Sequence, residues 1–197
     1  EEKILVGYNG KETDLTLPSY ITSIYQYAFY YCDGLTSVTI PDSVTTIGDY
    51  AFYDCDNLAS VVIGNSVTTI GYYAFSYCDS LTSVEIPDSV TTIGNYAFYS
   101  CDGLTSVTIG NSVTTIGDDA FYDCYKLVEV INKSPYITIK KGSSDNGCVG
   151  YYALDVYNST DTFTGTKLSN DNGYIVYTDG EEKILVGYNG KETDLTL

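Results

Sequence analysis

The sequence predicts a mainly β solenoid of five to six coils, each 23 residues long, flanked by β-hairpin or meander elements at both ends. The main observation is one phrase, LTSVTIPDSVTTIGDYAFYDCDN, which begins at Leu35 and recurs with few changes at intervals of 23 residues. A unit of this length cannot bury its own apolar face, so successive copies must stack and share a core. A second observation concerns the ends: residues 1–17 and 181–197 are identical, which indicates that a 180-residue module repeats in tandem.

Each coil begins with a short predicted strand. Leu35, Val38 and Ile40 alternate with polar residues, which predicts that their side chains point into the shared core. Pro41-Asp42, or Gly64-Asn65 in the next coil, then turns the chain, because proline fixes φ while glycine and asparagine tolerate unusual φ values. These two turns alternate along the array, which indicates that a two-coil unit of 46 residues was duplicated.

The rest of each coil is predicted to close on a single helical or 3₁₀ turn. Identical residues of stacked coils lie about one strand spacing apart, at ~4.8 Å, so recurring side chains form ladders. The predicted core ladders consist of Phe29, Phe52, Phe75, Phe98 and Phe121, and of Cys32, Cys55, Cys78, Cys101 and Cys124.

The cysteines have two interpretations. Six cysteines in an extracellular chain can indicate a disulfide framework. Alternatively, five thiols stacked in parallel pack beside the phenylalanines as small core residues, because their Cβ vectors point the same way and cannot all pair. We favour buried free thiols. A metal chain is a weaker hypothesis, since whole-coil spacing gives a line of sulfurs instead of a tetrahedron.

The predicted organisation has four parts. Residues 1–17 form an N-terminal hairpin, residues 12–141 form the solenoid, residues 142–180 form a C-terminal cap and junction, and residues 181–197 begin the next module. A degenerate sixth coil begins at Leu127, where the pattern decays.

Within the cap, Tyr151 to Tyr157 predicts a closing strand, and the polar stretch from Asn158 to Asn172 predicts a loop or a small subdomain. The strands beyond it, Tyr174 to Tyr177, Ile184 to Tyr188 and Thr193 to Leu197, predict a three-strand meander with turns at Asp179-Gly180 and Asn189-Gly190.

The N-terminal hairpin is predicted from two β-rich runs, Ile4 to Tyr8 and Thr13 to Leu17, which an Asn-Gly pair separates. This copy lacks the first strand of the meander, so its outer edge is predicted to be open. Open strand edges invite pairing, and self-association through this hairpin edge is therefore one expectation.

Charge and composition exclude several functional classes. The chain has 26 acidic and 9 basic residues, for a net charge of −17, so it has no basic stripe for nucleic acid or for an anionic membrane. No apolar run approaches the ~20 residues that span a bilayer. Histidine is absent, which excludes histidine-dependent triads, and we expect no enzyme activity and no cofactor. The Asp145-Asn146-Gly147 and Asp171-Asn172-Gly173 stretches resemble fragments of calcium loops but lack full ligand spacing, so turns explain them.

Tyrosine is the residue most in excess, with 22 copies. Two positions of the coil, both beside the predicted phenylalanine ladder, carry most of the repeated tyrosines. They can simply cover the edge of the core, or they can form a stripe along an outer corner that contacts a protein or glycan. The candidate ligand-binding residues are Tyr27, Tyr50, Tyr73 and Tyr96 at one position, and Tyr30, Tyr53, Tyr99 and Tyr122 at the other.

Three sequence features carry a resemblance to a known family. They are the phrase LxxVxIPxSVTxIGxxAFxxC, the junction IKKGSSDNGCVGYYAL from Ile139 to Leu154, and ILVGYNGKETDLTLP from Ile4 to Pro18. Together they resemble the BspA-like leucine-rich repeat family of bacterial cell-surface proteins. That resemblance implies a leucine-rich-repeat solenoid in a secreted or surface-displayed protein, whose partners are host or microbial surface proteins or glycans.

Two functional hypotheses remain. The first, which we favour from the resemblance, is a non-catalytic adhesion module. The second is a structural spacer or self-associating unit with no ligand of its own, since nearly identical tandem copies also suit a stiff rod.

Overall fold

The computed structural model describes residues 2–171 and 173–188. These residues form two compact units, which divide between Thr162 and Phe163. The predicted cap and junction, residues 142–180, is thus shared between the units. Within the described ranges all regular structure is β-strand and no helix occurs.

The first unit is a solenoid of short parallel strands, which confirms the predicted fold class. The strands of one face are two residues long, and those of the other face are three or four residues long. The strands are β1 (Ile4–Leu5), β2 (Asp14–Thr16), β3 (Ser23–Ile24), β4 (Ser37–Thr39), β5 (Thr46–Ile47), β6 (Ser60–Val62), β7 (Thr69–Ile70), β8 (Ser83–Glu85), β9 (Thr92–Ile93), β10 (Ser106–Ile109), β11 (Thr115–Ile116), β12 (Glu129–Asn132) and β13 (Asp155–Tyr157).

Three parallel sheets line the solenoid. One has the order β1-β3-β5-β7-β9-β11, a second has the order β2-β4-β6, and a third has the order β13-β12-β10-β8. From β2 and β3 to β12, paired residues are separated by 23 positions, as in Val38 with Val61. This register places identical side chains directly over one another.

The core is a stack of aromatic rings. Phe29, Phe52, Phe75, Phe98 and Phe121 are fully buried. Their ring centroids lie 4.6, 5.0, 5.3 and 5.1 Å apart along the stack, with nearly parallel planes. Beside them all the cysteines are free. Each buried ladder thiol donates a hydrogen bond to a phenylalanine carbonyl of the preceding coil, as Cys55 Sγ does to Phe29 O at 3.1 Å.

The expected helical or 3₁₀ corners are wrong. Tyr27, Phe29 and Tyr31 donate their N–H groups to carbonyls of the next coil at 2.7–3.0 Å, whereas Ala28 and Tyr30 donate theirs to carbonyls three residues earlier in their own coil. Alternate residues therefore bond between coils and within the coil. A helix would direct all of these N–H groups along one axis. The corner is therefore a series of turns that is hydrogen-bonded to the corner of the next coil.

The predicted N-terminal hairpin is also wrong. β1 pairs in parallel with β3, and β2 pairs in parallel with β4. The ring of Tyr8 lies 5.1 Å from Phe29 and continues the aromatic stack. Coil stacking covers Leu5 and Tyr8 against the core, which an isolated hairpin would leave exposed. Residues 2–8 therefore form a partial coil that stacks on the coil containing β2 and β3.

The second unit is an antiparallel meander of β14 (Leu168–Asp171), β15 (Tyr174–Asp179) and β16 (Glu182–Tyr188). Its first strand lies inside a stretch predicted to be a loop or small subdomain. The predicted strand Thr193 to Leu197, the Asn189-Gly190 turn and Asn172 lie outside the described residues. The closing strand is shorter than predicted, since β13 covers only its last three residues.

Candidate functional site

Tyrosines of successive coils stack along one corner of the solenoid. The ring centroids of Tyr27, Tyr50, Tyr73 and Tyr96 lie 5.0, 5.1 and 4.7 Å apart, with interplanar angles of 14° or less. The backbone of each of these four residues is left-handed, with φ between 52° and 61°. Bulky residues rarely adopt this conformation, so the corner holds four tyrosines at a local backbone cost.

The second predicted tyrosine position forms a broken ladder. Tyr30 stacks on Tyr53 at 5.2 Å, and Tyr99 stacks on Tyr122 at 6.1 Å. Between the pairs stands Ser76, which is buried and donates a hydrogen bond to the Tyr99 carbonyl at 3.0 Å. The structure thus brings all eight predicted tyrosines to one corner but divides this ladder in two.

Three further tyrosines join this corner, and the sequence reasoning missed them. Tyr72 contacts Tyr73 edge-to-face at 4.4 Å, and Tyr77 contacts both Tyr53 and Tyr99. Tyr31 contacts Tyr30 at 4.3 Å. Tyr31 and Tyr77 are separated by two coils, so the 46-residue superperiod could have identified them. The eleven connected residues, called the tyrosine surface below, are Tyr27, Tyr30, Tyr31, Tyr50, Tyr53, Tyr72, Tyr73, Tyr77, Tyr96, Tyr99 and Tyr122.

Stacking determines which parts of these rings can meet a partner. Within the main ladder each inner ring has a neighbour on both faces, so its edge and its hydroxyl are the parts left at the surface. Tyr31, Tyr27 and Tyr72 are 54%, 49% and 37% exposed, while the inner Tyr50 and Tyr73 are half-buried. The surface therefore offers hydroxyl groups and electropositive ring edges more than open ring faces.

A row of carboxylates lies beside the tyrosine surface. Asp33, Asp56, Asp79 and Asp102 each follow a ladder cysteine and recur every 23 residues. Burial, together with the charges of Asp102 and Asp56, raises the pKa of Asp79 to about 6. Burial and a hydrogen bond with Asp56 also raise the pKa of Asp54. The row is a concentration of negative charge in which neighbouring carboxylates oppose each other's ionisation.

A further carboxylate, that of Asp123, contacts a hydroxyl of the tyrosine surface. The Tyr99 hydroxyl lies 3.2 Å from Asp123 Oδ2, and burial together with that carboxylate raises the pKa of Tyr99 to about 12. The hydroxyl of Tyr99 donates a hydrogen bond to this carboxylate.

A cleft interrupts the strand face of the solenoid. β6 ends one sheet and β8 begins another, so the ladder of backbone pairing breaks between them. A cleft of about 360 Å³ lies there, lined by Val62, Asn65, Glu85, Pro87 and Lys133 among others. Lys133 Nζ lies 3.3 Å from Glu85 Oε1 and joins two coils across an intervening one.

The alternation of Pro-Asp and Gly-Asn turns along the coils coincides with the break between β6 and β8. A Cβ atom on Gly64 would overlap the Pro41 carbonyl, and one on Gly110 would overlap the Pro87 carbonyl, so each glycine lets its coil approach the proline coil before it. The opposite junction, from the Gly64 coil to the Pro87 coil, has no such contact and holds the cleft.

The thiols are poorly suited to nucleophilic catalysis and to metal binding. Burial is the main cause that raises the pKa of Cys78 and Cys101 well above the ordinary value and that of Cys32 to about 11. A thiol that stays protonated is a weak nucleophile and a weak metal ligand. Among the described residues, no group of three or more acidic, cysteine or histidine side chains is placed to hold a metal ion. That part of the chain also contains no helix able to cross a membrane.

Comparisons with known proteins agree with this architecture. The chain is similar to a leucine-rich repeat protein of T. pallidum, with 37% identity and a TM-score of 0.63 over 64% of this chain and 62% of that one. It is also similar to a leucine rich cell surface protein of Faecalibacterium prausnitzii, with 33% identity and a TM-score of 0.63 over 65% of this chain and 34% of that one.

A leucine-rich repeat protein of Bacteroides ovatus is 36% identical, with a TM-score of 0.56 over 59% of this chain and 33% of that one. The matches thus span between a third and two thirds of these proteins. No curated protein matches the chain. The sequence pattern described as "BspA type Leucine rich repeat region" matches residues 8–143 in six copies. The chain therefore belongs to the BspA-type leucine-rich repeat family.

Proposed function

We propose that this chain is a non-catalytic, extracellular binding module of a bacterial surface protein, and that the tyrosine surface contacts its partner. The observation that carries the proposal is the continuity of eleven tyrosines along one corner, six of them in the left-handed backbone conformation. Covering the core does not require this arrangement, because the stack of phenylalanines already fills the interior. The similarity to a cell-surface protein of Faecalibacterium prausnitzii supports the location.

The chemistry of the surface favours a protein partner over a glycan. Sugars commonly pack on open aromatic faces, whereas the inner rings of this ladder cover each other's faces. Hydroxyl groups and ring edges remain, next to the row of Asp33, Asp56, Asp79 and Asp102. A protein segment that carries lysine and arginine would meet hydrogen-bond acceptors and carboxylates there. We therefore propose a basic protein surface, of a host or of another microbe, as the partner.

Tandem repetition would strengthen such binding. A row of hydroxyls and carboxylates repeated every coil offers many weak contacts instead of one deep pocket. Linked modules turn the second contact into an intramolecular one and raise the apparent affinity without new interactions.

The test is binding of the full chain to immobilised extracellular-matrix proteins and glycans at graded salt. One variant carries Tyr50→Asn, Tyr73→Asn and Tyr96→Asn, since asparagine tolerates the left-handed backbone. A matched control makes the same change at three exposed tyrosines elsewhere, Tyr20, Tyr136 and Tyr151.

We expect binding to at least one basic protein, weakened by salt and by the first triple variant, and unchanged in the control. Equal loss in both variants would contradict the assignment to the tyrosine surface.

A second candidate function is a spacer that holds other domains away from the cell. The hydrogen-bonded six-stranded sheet, which is continuous along one face of the solenoid, favours it, because such an array is stiff. The absence of binding to the whole panel by a folded chain would favour the spacer over the adhesion module.

A further inference from the structure

One sequence occurs in two strands that pair differently. Residues 2–8 and 182–188 both read EKILVGY. In the first copy β1 pairs in parallel with β3 of the solenoid, and in the second β16 pairs antiparallel with β15 of the meander.

In the first copy, the odd-numbered residues face the solenoid. The carbonyls of Lys3 and Leu5 accept hydrogen bonds from the N–H groups of Thr22 and Tyr25, both at 2.8 Å. Because successive residues of a strand direct their backbone groups to opposite edges, the N–H and C=O of Ile4 point away from β3. β1 is also the edge strand of its sheet in the described chain.

In the second copy, the equivalent residues face the opposite way. The N–H of Thr178 donates to the Lys167 carbonyl at 2.9 Å, away from β16, so the neighbouring Tyr177 must direct its backbone groups toward β16. Tyr177 pairs with Ile184, the counterpart of Ile4. The counterparts of Lys3 and Leu5 therefore point away from β15, and the two copies use complementary edges.

Side-chain burial is complementary as well. In the first copy Leu5 packs against the core, while Ile4 and Val6 are 45% and 71% exposed. In the second copy Leu185 is 49% exposed, whereas the counterparts of Ile4 and Val6 are half-buried. A strand of this sequence held between a meander and a solenoid would have all three side chains covered.

We propose that the outward edge of β1 binds the β15 strand of a second copy of this module, antiparallel and in the register that β15 has with β16. In tandem copies one EKILVGY strand then serves as the last strand of one meander and the first strand of the next solenoid. Ile4 lies opposite Tyr177 of the second copy, and Lys3 lies opposite its Thr178. Glu2 lies opposite Asp179, and this repulsion makes the pairing stronger at high salt.

Between separate chains the pairing competes with a strand of the same sequence. β15 is already occupied by β16 of its own chain, so the intact chain should associate weakly. Ile184→Pro removes the N–H that faces β15 and vacates that edge, while Ile4→Pro removes the matching N–H from β1. Proline is tolerated where an edge-strand N–H faces solvent, so Ile4→Pro should leave the solenoid folded.

The experiment is sedimentation velocity of the full chain and three variants over a wide concentration range, with circular dichroism as the check on folding. We expect Ile184→Pro to raise the association constant about tenfold, the change that one or two backbone hydrogen bonds produce. The double variant with Ile4→Pro should return to the weak association of the intact chain. Equal association of Ile184→Pro and a folded double variant would overturn the proposal.

Disulfide trapping tests the register and does not depend on how well the double variant folds. In the Ile184→Pro background, a chain with Lys3→Cys is mixed with a chain with Thr178→Cys. Directly opposed residues of a non-hydrogen-bonded antiparallel pair have Cα atoms about 4.5 Å apart, close enough for a disulfide. We expect cross-linked dimers from this mixture and none when Thr13→Cys, an exposed residue away from β1, replaces Lys3→Cys. Equal cross-linking at both positions, or none at either, would overturn the proposed pairing.

Discussion

Substitutions at Tyr73 test whether ring stacking holds the corner in its left-handed conformation. Tyr73 has φ of 52°, stacks on Tyr50 at 5.1 Å and on Tyr96 at 4.7 Å, and meets Tyr72 edge-to-face at 4.4 Å. Each aromatic pair contributes about 0.5–1.5 kcal/mol beyond its buried area, so Tyr73→Ala should destabilise the fold by about 2–4 kcal/mol.

Glycine at the same position should be less damaging than alanine. It removes the left-handed penalty of roughly 1–2 kcal/mol, from which about 0.4–1 kcal/mol is lost to the greater freedom of glycine in the unfolded chain. Tyr73→Gly should therefore be more stable than Tyr73→Ala by about 0.5–1 kcal/mol. At Tyr72, whose φ is not positive, the order should reverse by a similar amount.

The assay is urea unfolding of the four single variants, compared by transition midpoint after a check that the slopes agree. Both residues belong to the tyrosine surface, so they are matched in surroundings and differ in backbone conformation. The same order of alanine and glycine at both positions would refute the claim that stacking compensates a strained backbone.

Four further predictions follow from the core, the carboxylate row, the coil junctions and the thiols. Phe75→Ala, in the middle of the buried stack, should cost about 3–5 kcal/mol in urea unfolding. The pKa of Asp79 is about 6 in the folded chain, above the unfolded value, so the folded state binds more protons between about pH 4 and pH 6 and loses stability as pH rises through that window. Asp79→Asn should remove this loss, giving a higher melting temperature than the unsubstituted chain at pH 7 and a similar one below pH 4. Gly110→Ala should destabilise by about 1–3 kcal/mol because its Cβ meets the proline carbonyl of the preceding coil, whereas Gly34→Ala, which meets no atom within 4 Å, should be nearly neutral in the same assay. Cys78 should react with an aromatic disulfide reagent at pH 8 only after unfolding, because it is fully buried and its pKa is raised.

The repeat period was sufficient to predict the interior. Phe52 and Val38 recur at one coil position each, and any stacking at strand spacing must superimpose them. The same argument failed at the first coil, because Tyr8 precedes Phe29 by 21 residues instead of 23 and so falls out of phase. A local Asn-Gly signal then suggested a hairpin, whereas burial of Leu5 and Tyr8 by the next coil determines the parallel pairing.

The corners were harder to predict than the strands. Left-handed tyrosines such as Tyr27 violate the local preference of the residue, so propensity alone predicts a helical turn there. Their conformation depends on N–H bonds to the neighbouring coil and on stacking, which are interactions between residues 22 and 23 positions apart. The cleft beside Pro87 likewise depends on the order in which coils with a proline turn and coils with a glycine turn follow each other. The sequence shows this order, but it does not show that the coils separate at one of the two kinds of junction.

The measurement that tests the binding proposal most directly is hydroxyl-radical footprinting of the full chain with and without a basic protein to which it binds. Oxidation should fall at the exposed members of the tyrosine surface, Tyr27, Tyr72 and Tyr122, and should stay unchanged at Tyr20 and Tyr136. Protection of the last two, with the tyrosine surface oxidised as before, would contradict the account.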